Sequence, residues 1–122
     1  MLAASRINGF FPTKDFQKTR QFYEGVLGLT FLGENPYVIT FQSGENIIMG
    51  QKGSKFEPLQ RTILGWEVKD IENVVSFLTE RGVVFMRVQG LEQDRLGIWK
   101  SPDGKVAWFQ DPDGNTLSVS EH

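Results

Sequence analysis

The chain has no cysteine and only one histidine, His122. Without thiols there is no disulfide, no thiolate nucleophile and no cysteine-ligated metal. A histidine-based catalytic relay would have to rest on His122 alone, the last residue, where fraying is usual. Excess charge of one sign is also missing. Lys plus Arg number 13 against 15 Asp plus Glu, a formal charge of −2. That balance offers no basic stripe of the kind a nucleic acid requires. Long apolar runs are absent too. The opening MLAASRINGFF is too broken for a signal peptide, and nothing later approaches a membrane span. A soluble, cytoplasmic protein with no nucleic-acid or membrane partner is the expectation.

Aromatic residues, by contrast, are plentiful. Ten Phe and three Trp in 122 residues, with 39% hydrophobic residues, suffice for a real core in a single domain. The chain also nearly repeats itself. PTKDFQKTRQFYEGVLGLTF (12–31) and WEVKDIENVVSFLTERGVVF (66–85) share Lys-Asp, a Phe seven residues after the Asp, then Gly, two residues and Phe. The closing stretches FQSGENIIMG (41–50) and FQDPDGNTLSVS (109–120) echo each other as well. Two copies of one supersecondary unit are implied, each too small to bury a core alone.

Residues 6–12 read as a strand. Asp15 is a helix N-cap, since its carboxylate can accept from the free amides of a first turn. Thr19, Phe22, Tyr23, Val26 and Leu27 share one helical face, and Gly28 suits the left-handed residue that stops a helix. Strands follow at 29–32, 37–42 and 47–50. The polar stretch 51–61 (QKGSKFEPLQR) reads as a linker. The pattern then restarts, giving module one at 6–50 and module two at 62–120. Thr62–Val68 is a strand, Asp70 caps a helix carrying Ile71, Val74, Val75 and Leu78, and Gly82 ends it. Val83–Met86 reads as a further strand and 90–95 as a loop. Residues 97–100 and 105–110 form a hairpin around Ser101-Pro102-Asp103-Gly104, and 117–120 is the last strand. Asp111-x-Asp113-x-Asn115 resembles the start of a calcium loop. Thr116 stands where that loop needs Gly and His122 where it needs Glu, so the segment reads as a turn.

Asp15 with Phe22-Tyr23, Val26-Leu27-Gly28-Leu29 and the closing Asp111-Pro112-Asp113-Gly114-Asn115 resemble the vicinal oxygen chelate superfamily of glyoxalases, bleomycin-resistance proteins and extradiol dioxygenases. The resemblance implies an α+β fold of two βαβββ modules. Their strands would form a curved half-barrel of mixed sheet, with helices on the convex side and a ligand cavity on the concave side. It also implies a homodimer. Family enzymes hold a divalent metal with one side chain from the first and one from the last strand of each module. By the family's spacing, those positions here are Asn8, Ile48, Ile63 and Ser118. Two isoleucines donate nothing, and neutral Asn and Ser are weak ligands for a divalent cation. Neither a metal nor another cofactor is therefore expected.

If Asn8 points inward, strand alternation turns Phe10 and Pro12 inward as well. Gly65 and Glu67 follow Ile63, Asn46 and Gly50 follow Ile48, and Thr116 and Ser120 follow Ser118. The opposite set, including Ile7, Phe11, Leu64, Trp66, Ile47, Met49, Leu117 and Val119, is the more apolar one and suits a helix-covered surface, with Trp66 read as core. Trp99 and Trp108 flank the hairpin, and either can stack on a flat ligand. Which of them faces inward depends on the hairpin register. The cavity candidates are Asn8, Phe10, Ile48, Ile63, Glu67, Trp99, Thr116 and Ser118. Glu67 is an acid or base if buried with a raised pKa, although a solvated strand end is the preferred reading. Arg61 and Arg95 are rim candidates for an acidic ligand, again with solvated surface charge preferred. The expected function is metal-free binding of a small organic ligand, by sequestration or carriage. The alternative is a glyoxalase-like or dioxygenase-like enzyme with a diverged active site, a lyase or isomerase using Glu67 or Tyr37 for proton transfer; a third reading is a glyoxalase-like metalloenzyme whose ligands come from elsewhere.

Overall fold

The computed structural model describes residues 2–55, 57–58 and 60–122. It contains the βαβββ order twice. Module one comprises β1 (Asn8–Thr13), α1 (Phe16–Arg20), β2 (Thr30–Glu34), β3 (Val38–Ser43) and β4 (Asn46–Lys52). Module two comprises β5 (Thr62–Glu67), α2 (Ile71–Glu80), β6 (Trp99–Ser101), β7 (Gly104–Gln110) and β8 (Thr116–Glu121). Each forms its own four-stranded mixed sheet, in the orders β1-β4-β3-β2 and β5-β8-β7-β6. The first and last strands of each module pair in parallel, and the remaining pairs are antiparallel. The chain divides into two compact units between Glu57 and Pro58, inside the stretch read as a linker. Positions 56 and 59 of that stretch lie outside the described residues. Among the described residues no helix is long and apolar enough to cross a membrane.

Local signals place both helices. Asp15 Oδ1 accepts from the amides of Gln17 (2.9 Å) and Lys18 (3.4 Å), satisfying donors that a first turn leaves free. Asp70 Oδ1 does the same for Asn73 (3.2 Å). A second cap on α2 comes from far along the chain, where Glu121 Oε1 accepts from the Ile71 amide at 2.9 Å. Gly28 and Gly82 end the two helical runs with φ of 81° and 94°. The first run is not uniformly α-helical. Beyond Arg20 it widens into a π-helical segment, Gln21–Val26, marked by the Leu27 amide donating to the Phe22 carbonyl five residues back.

In module one the core lies between the helix and one sheet face. Tyr23 is fully buried and stacks on Phe11 (4.6 Å) and Phe41 (5.5 Å). The buried hydroxyls of Thr13 and Thr19 hydrogen-bond to each other across the same interface. Gly50 lies on this face: a Cβ there would meet Ile39 Cγ2 at 2.8 Å and Thr13 Cγ2 at 2.9 Å. The alternation expected for β4 is therefore inverted. Ile48 is buried on the helix-covered face, opposite Phe41, while Ile47 and Met49 share the other face with Asn8 and Phe10. Counting from the turn at Gly44 misses the register by one, and a one-residue slip moves every side chain to the other face. In module two α2 packs on Ala107, Phe109, Leu117 and Val119 through Ile71, Val75 and Leu78, all buried. Lys105 Nζ, on that face, meets Glu72 Oε1 of α2 at 2.6 Å.

Two further expectations are corrected. Residues 83–86 are extended but not a strand: Val83 and Phe85 are buried and Val84 is 83% exposed, yet one backbone bond, Met86 N–H to Trp108 O, joins them to β7. β6 takes the Gly104–Val106 part of that edge. Trp66 lies on the same sheet face as Leu117 and Val119 but is only half-buried.

Candidate functional site

The face of the second sheet away from α2 carries Thr62, Gly65 and Glu67 of β5, Val106, Trp108 and Gln110 of β7, and Thr116, Ser118 and Ser120 of β8. At one end of this face lies a cleft of about 660 Å³. Its floor is Thr62, Trp108, Gln110 and Thr116, and one wall is Met86, Val88 and Leu91. Arg61 and Arg87 also line it.

The wall has no ladder of its own and is held by side chains. Gln93 Oε1 accepts from the Val88 amide at 2.6 Å, and Nε2 donates to the carbonyls of Met86 (2.8 Å) and Gly97 (2.9 Å). Arg87 donates to the carbonyls of Asp94 and Arg95. Asp94 Oδ1 accepts from the amides of Leu96 and Ile98, both at 2.9 Å. On the opposite side the Asp111–Asn115 segment is the expected turn. Buried Asp111 accepts from the amides of Asp113 and Asn115 and from the Asn115 carboxamide, so its carboxylate is engaged within the turn.

The candidate residues separate in this geometry. Thr116 lines the cleft. Ser118 is buried, and its Oγ would lie 2.6 Å from a Cβ on Gly65. That glycine is what lets the hydroxyl lie close over β5. Ile63 is the extra residue of a β-bulge. Thr62 pairs with Thr116 and Leu64 with Leu117, so Thr62 takes the cleft-facing place expected of Ile63. Trp99 and Trp108 share a face and stack on each other with centroids 6.0 Å apart, but Trp108 is the one that lines the cleft. In module one Asn8 and Phe10 are exposed on the face away from α1, and Ile48 is in the core.

Glu67 has the blander of its two expected environments. Its side chain is 59% exposed, and Oε1 accepts a hydrogen bond from His122 Nδ1 at 2.6 Å. The side-chain bond from His122, then the backbone bond from the His122 amide, hold its carboxyl below the usual carboxylate range. His122, expected to fray, is held by both bonds. Tyr37 is 77% exposed at the turn before β3.

Among the cleft residues missed by sequence reading are Thr62, Gln110, Met86, Arg87, Val88 and Leu91. For Gln110 a signal existed. The apolar alternates Ala107 and Phe109 mark the helix-covered face of β7, which leaves Trp108 and Gln110 on the other.

The glyoxalase/bleomycin resistance protein/dioxygenase superfamily model matches residues 6–119. The chain belongs to this superfamily. No curated protein matches the sequence. Among solved structures it is similar to a glyoxalase family protein from Enterococcus faecalis (23% identity, 99% of this chain and 100% of that one, TM-score 0.71). It is similar also to lactoylglutathione lyase from Agrobacterium tumefaciens (14%, 97% and 93%, TM-score 0.74). A third is an antibiotic-binding protein from Streptomyces sp. CB03234 (21%, 97% in both directions, TM-score 0.69). At such identities the likeness carries the fold alone, and the superfamily spans enzymes and binders.

The metal typical of the superfamily's enzymes does not fit the residues present. Among the described residues no group of three or more His, Cys, Asp or Glu could hold a metal ion. Taken module by module, the first and last strands offer Asn8, Ile47 and Met49 in the first and Thr62, Thr116 and Ser118 in the second, while Glu67 of β5 is engaged by His122. Neutral oxygen donors and apolar side chains of this kind are poorly matched to a divalent cation.

Proposed function

We propose that this superfamily member is a metal-free small-molecule binding protein, acting by sequestration or carriage, with the module-two cleft as its binding site. The observation that carries the reading is the cleft lining. Apolar Trp108, Met86, Val88 and Leu91 surround a few neutral hydrogen-bonding groups, Thr62, Gln110 and Thr116, in a volume within the range of small-ligand sites. The proton-transfer alternative is not favoured, because Glu67 is ionised and paired at an exposed strand end and Tyr37 projects into solvent. The same reading takes the chain to be a homodimer in a cytoplasmic setting. Exposed Phe10, Leu32 and Tyr37 in module one supply apolar surface for self-association.

A thermal-shift screen of organic compounds, with and without zinc, nickel and manganese, tests the proposal. A ligand at a hundred times its dissociation constant stabilises by about 2.7 kcal/mol, several degrees in a domain of this size. Hits should appear without metal and weaken in Trp108→Ala. A tightly retained divalent ion in the purified protein, or hits indifferent to Trp108→Ala, would overturn it.

A further inference from the structure

We infer that the ligand of this cleft is a flat aromatic anion, its ring on Trp108 and its oxyanion group on Arg61. The inference rests on the cleft being the binding site and adds the chemistry of what it takes. The chain as a whole carries a formal charge of −2, yet the described lining holds two arginines and no carboxylate. The cleft is thus positive on a slightly acidic protein, and it disfavours a cationic ligand.

The two arginines differ in availability. Arg87 spends its terminal nitrogens on the Asp94 and Arg95 carbonyls, which fixes it as part of the wall. Arg61 makes no hydrogen bond or ion pair among the described residues, so its planar fork is open to a carboxylate or similar oxyanion. It adjoins Thr62, which pairs with Thr116 on the cleft floor, so the strand start sets its base. Trp108 supplies the complementary surface. Its stack on Trp99, at an interplanar angle of 27°, orients the indole before any ligand arrives. A preset aromatic plate and an uncommitted guanidinium in one cleft select a ring bearing a negative group. Gln110, Thr62 and Thr116 are neutral donors and acceptors suited to ring substituents.

The test uses three matched probes: 2-naphthoate, its uncharged amide and the corresponding amidinium cation. Binding is read by tryptophan fluorescence and calorimetry at low and high salt. The expected result is naphthoate bound about tenfold tighter than the amide, the preference shrinking as salt rises, and the amidinium weakest. Arg61→Gln, at an exposed position, should bring the carboxylate-to-amide ratio close to one. Equal affinity for carboxylate and amide, or a ratio unmoved by Arg61→Gln, overturns the anion inference. If the amide still binds and is lost in Trp108→Ala, the binding-site reading survives that failure. No binding of any probe and unchanged fluorescence would overturn both.

Discussion

Gln93→Glu is a nearly isosteric change, but it should loosen the wall of the cleft. The carboxamide orientation is forced, because its oxygen faces the Val88 amide and its nitrogen faces the Met86 and Gly97 carbonyls. Glu keeps the acceptor towards Val88 and sets an oxygen against two carbonyl oxygens. Two hydrogen bonds at about 1 kcal/mol each are lost, and repulsion adds to that when the carboxylate is ionised. A destabilisation of about 2–3 kcal/mol at pH 8 is expected, lowering Tm by roughly 10 °C. Protonation returns one donor, so the folded state raises the introduced carboxyl's pKa above its unfolded value. Its stabilising contribution is then present below the unfolded pKa and lost as pH rises through the folded one. The gap between variant and parent should therefore be smaller near pH 4.5 than at pH 8. Gln93→Ala leaves the Val88 amide and Met86 carbonyl where water can reach them; it loses the bond to the buried Gly97 carbonyl just as Gln93→Glu does but adds no repulsion, so it should be no worse than Gln93→Glu at pH 8. Melting curves of all three proteins across this range check the reasoning. A Gln93→Glu protein melting within about 2 °C of the parent at pH 8, or a gap indifferent to pH, would refute it.

Gly50→Ala should cost about 1–3 kcal/mol in urea unfolding, because the new methyl meets Ile39, Thr13 and Phe11 in a packed interface; an unchanged midpoint would show the core yields more easily than its geometry suggests. His122→Ala should let the Glu67 carboxyl rise towards its ordinary pKa in a carbonyl-detected NMR titration. Since folding lowers that pKa, the pair's contribution is present above the unfolded value and lost as pH falls through the folded one; the backbone amide bond survives the change, so an unmoved titration would mean the imidazole bond is not the main cause.

Much of the fold could be read locally. Asp15 and Asp70 cap helices because a short carboxylate suits free amides whatever lies elsewhere, and Gly28 and Gly82 stop them because glycine adopts positive φ without strain. The alternation of β1 and β8 is right for the same local reason. The inversion at β4 was not legible, since register is set by cross-strand partners such as Phe41 opposite Ile48. Nor was the bulge at Ile63, which breaks the count from Gly65 back to Thr62. Residues 83–86 carry the period of a strand, but period does not tell whether a neighbouring edge is free, and β6 occupies its Gly104–Val106 part.

By itself the sequence determined the duplicated βαβββ plan and the helix ends, because these depend on residue chemistry and short spacings. Only tertiary structure decided that Trp108 rather than Trp99 lines the cleft, that Glu67 is tied to His122, and that Arg61 faces a ligand-sized space. Those outcomes depend on which strands pair and in what register, and distant contacts decide that after local preferences are already satisfied.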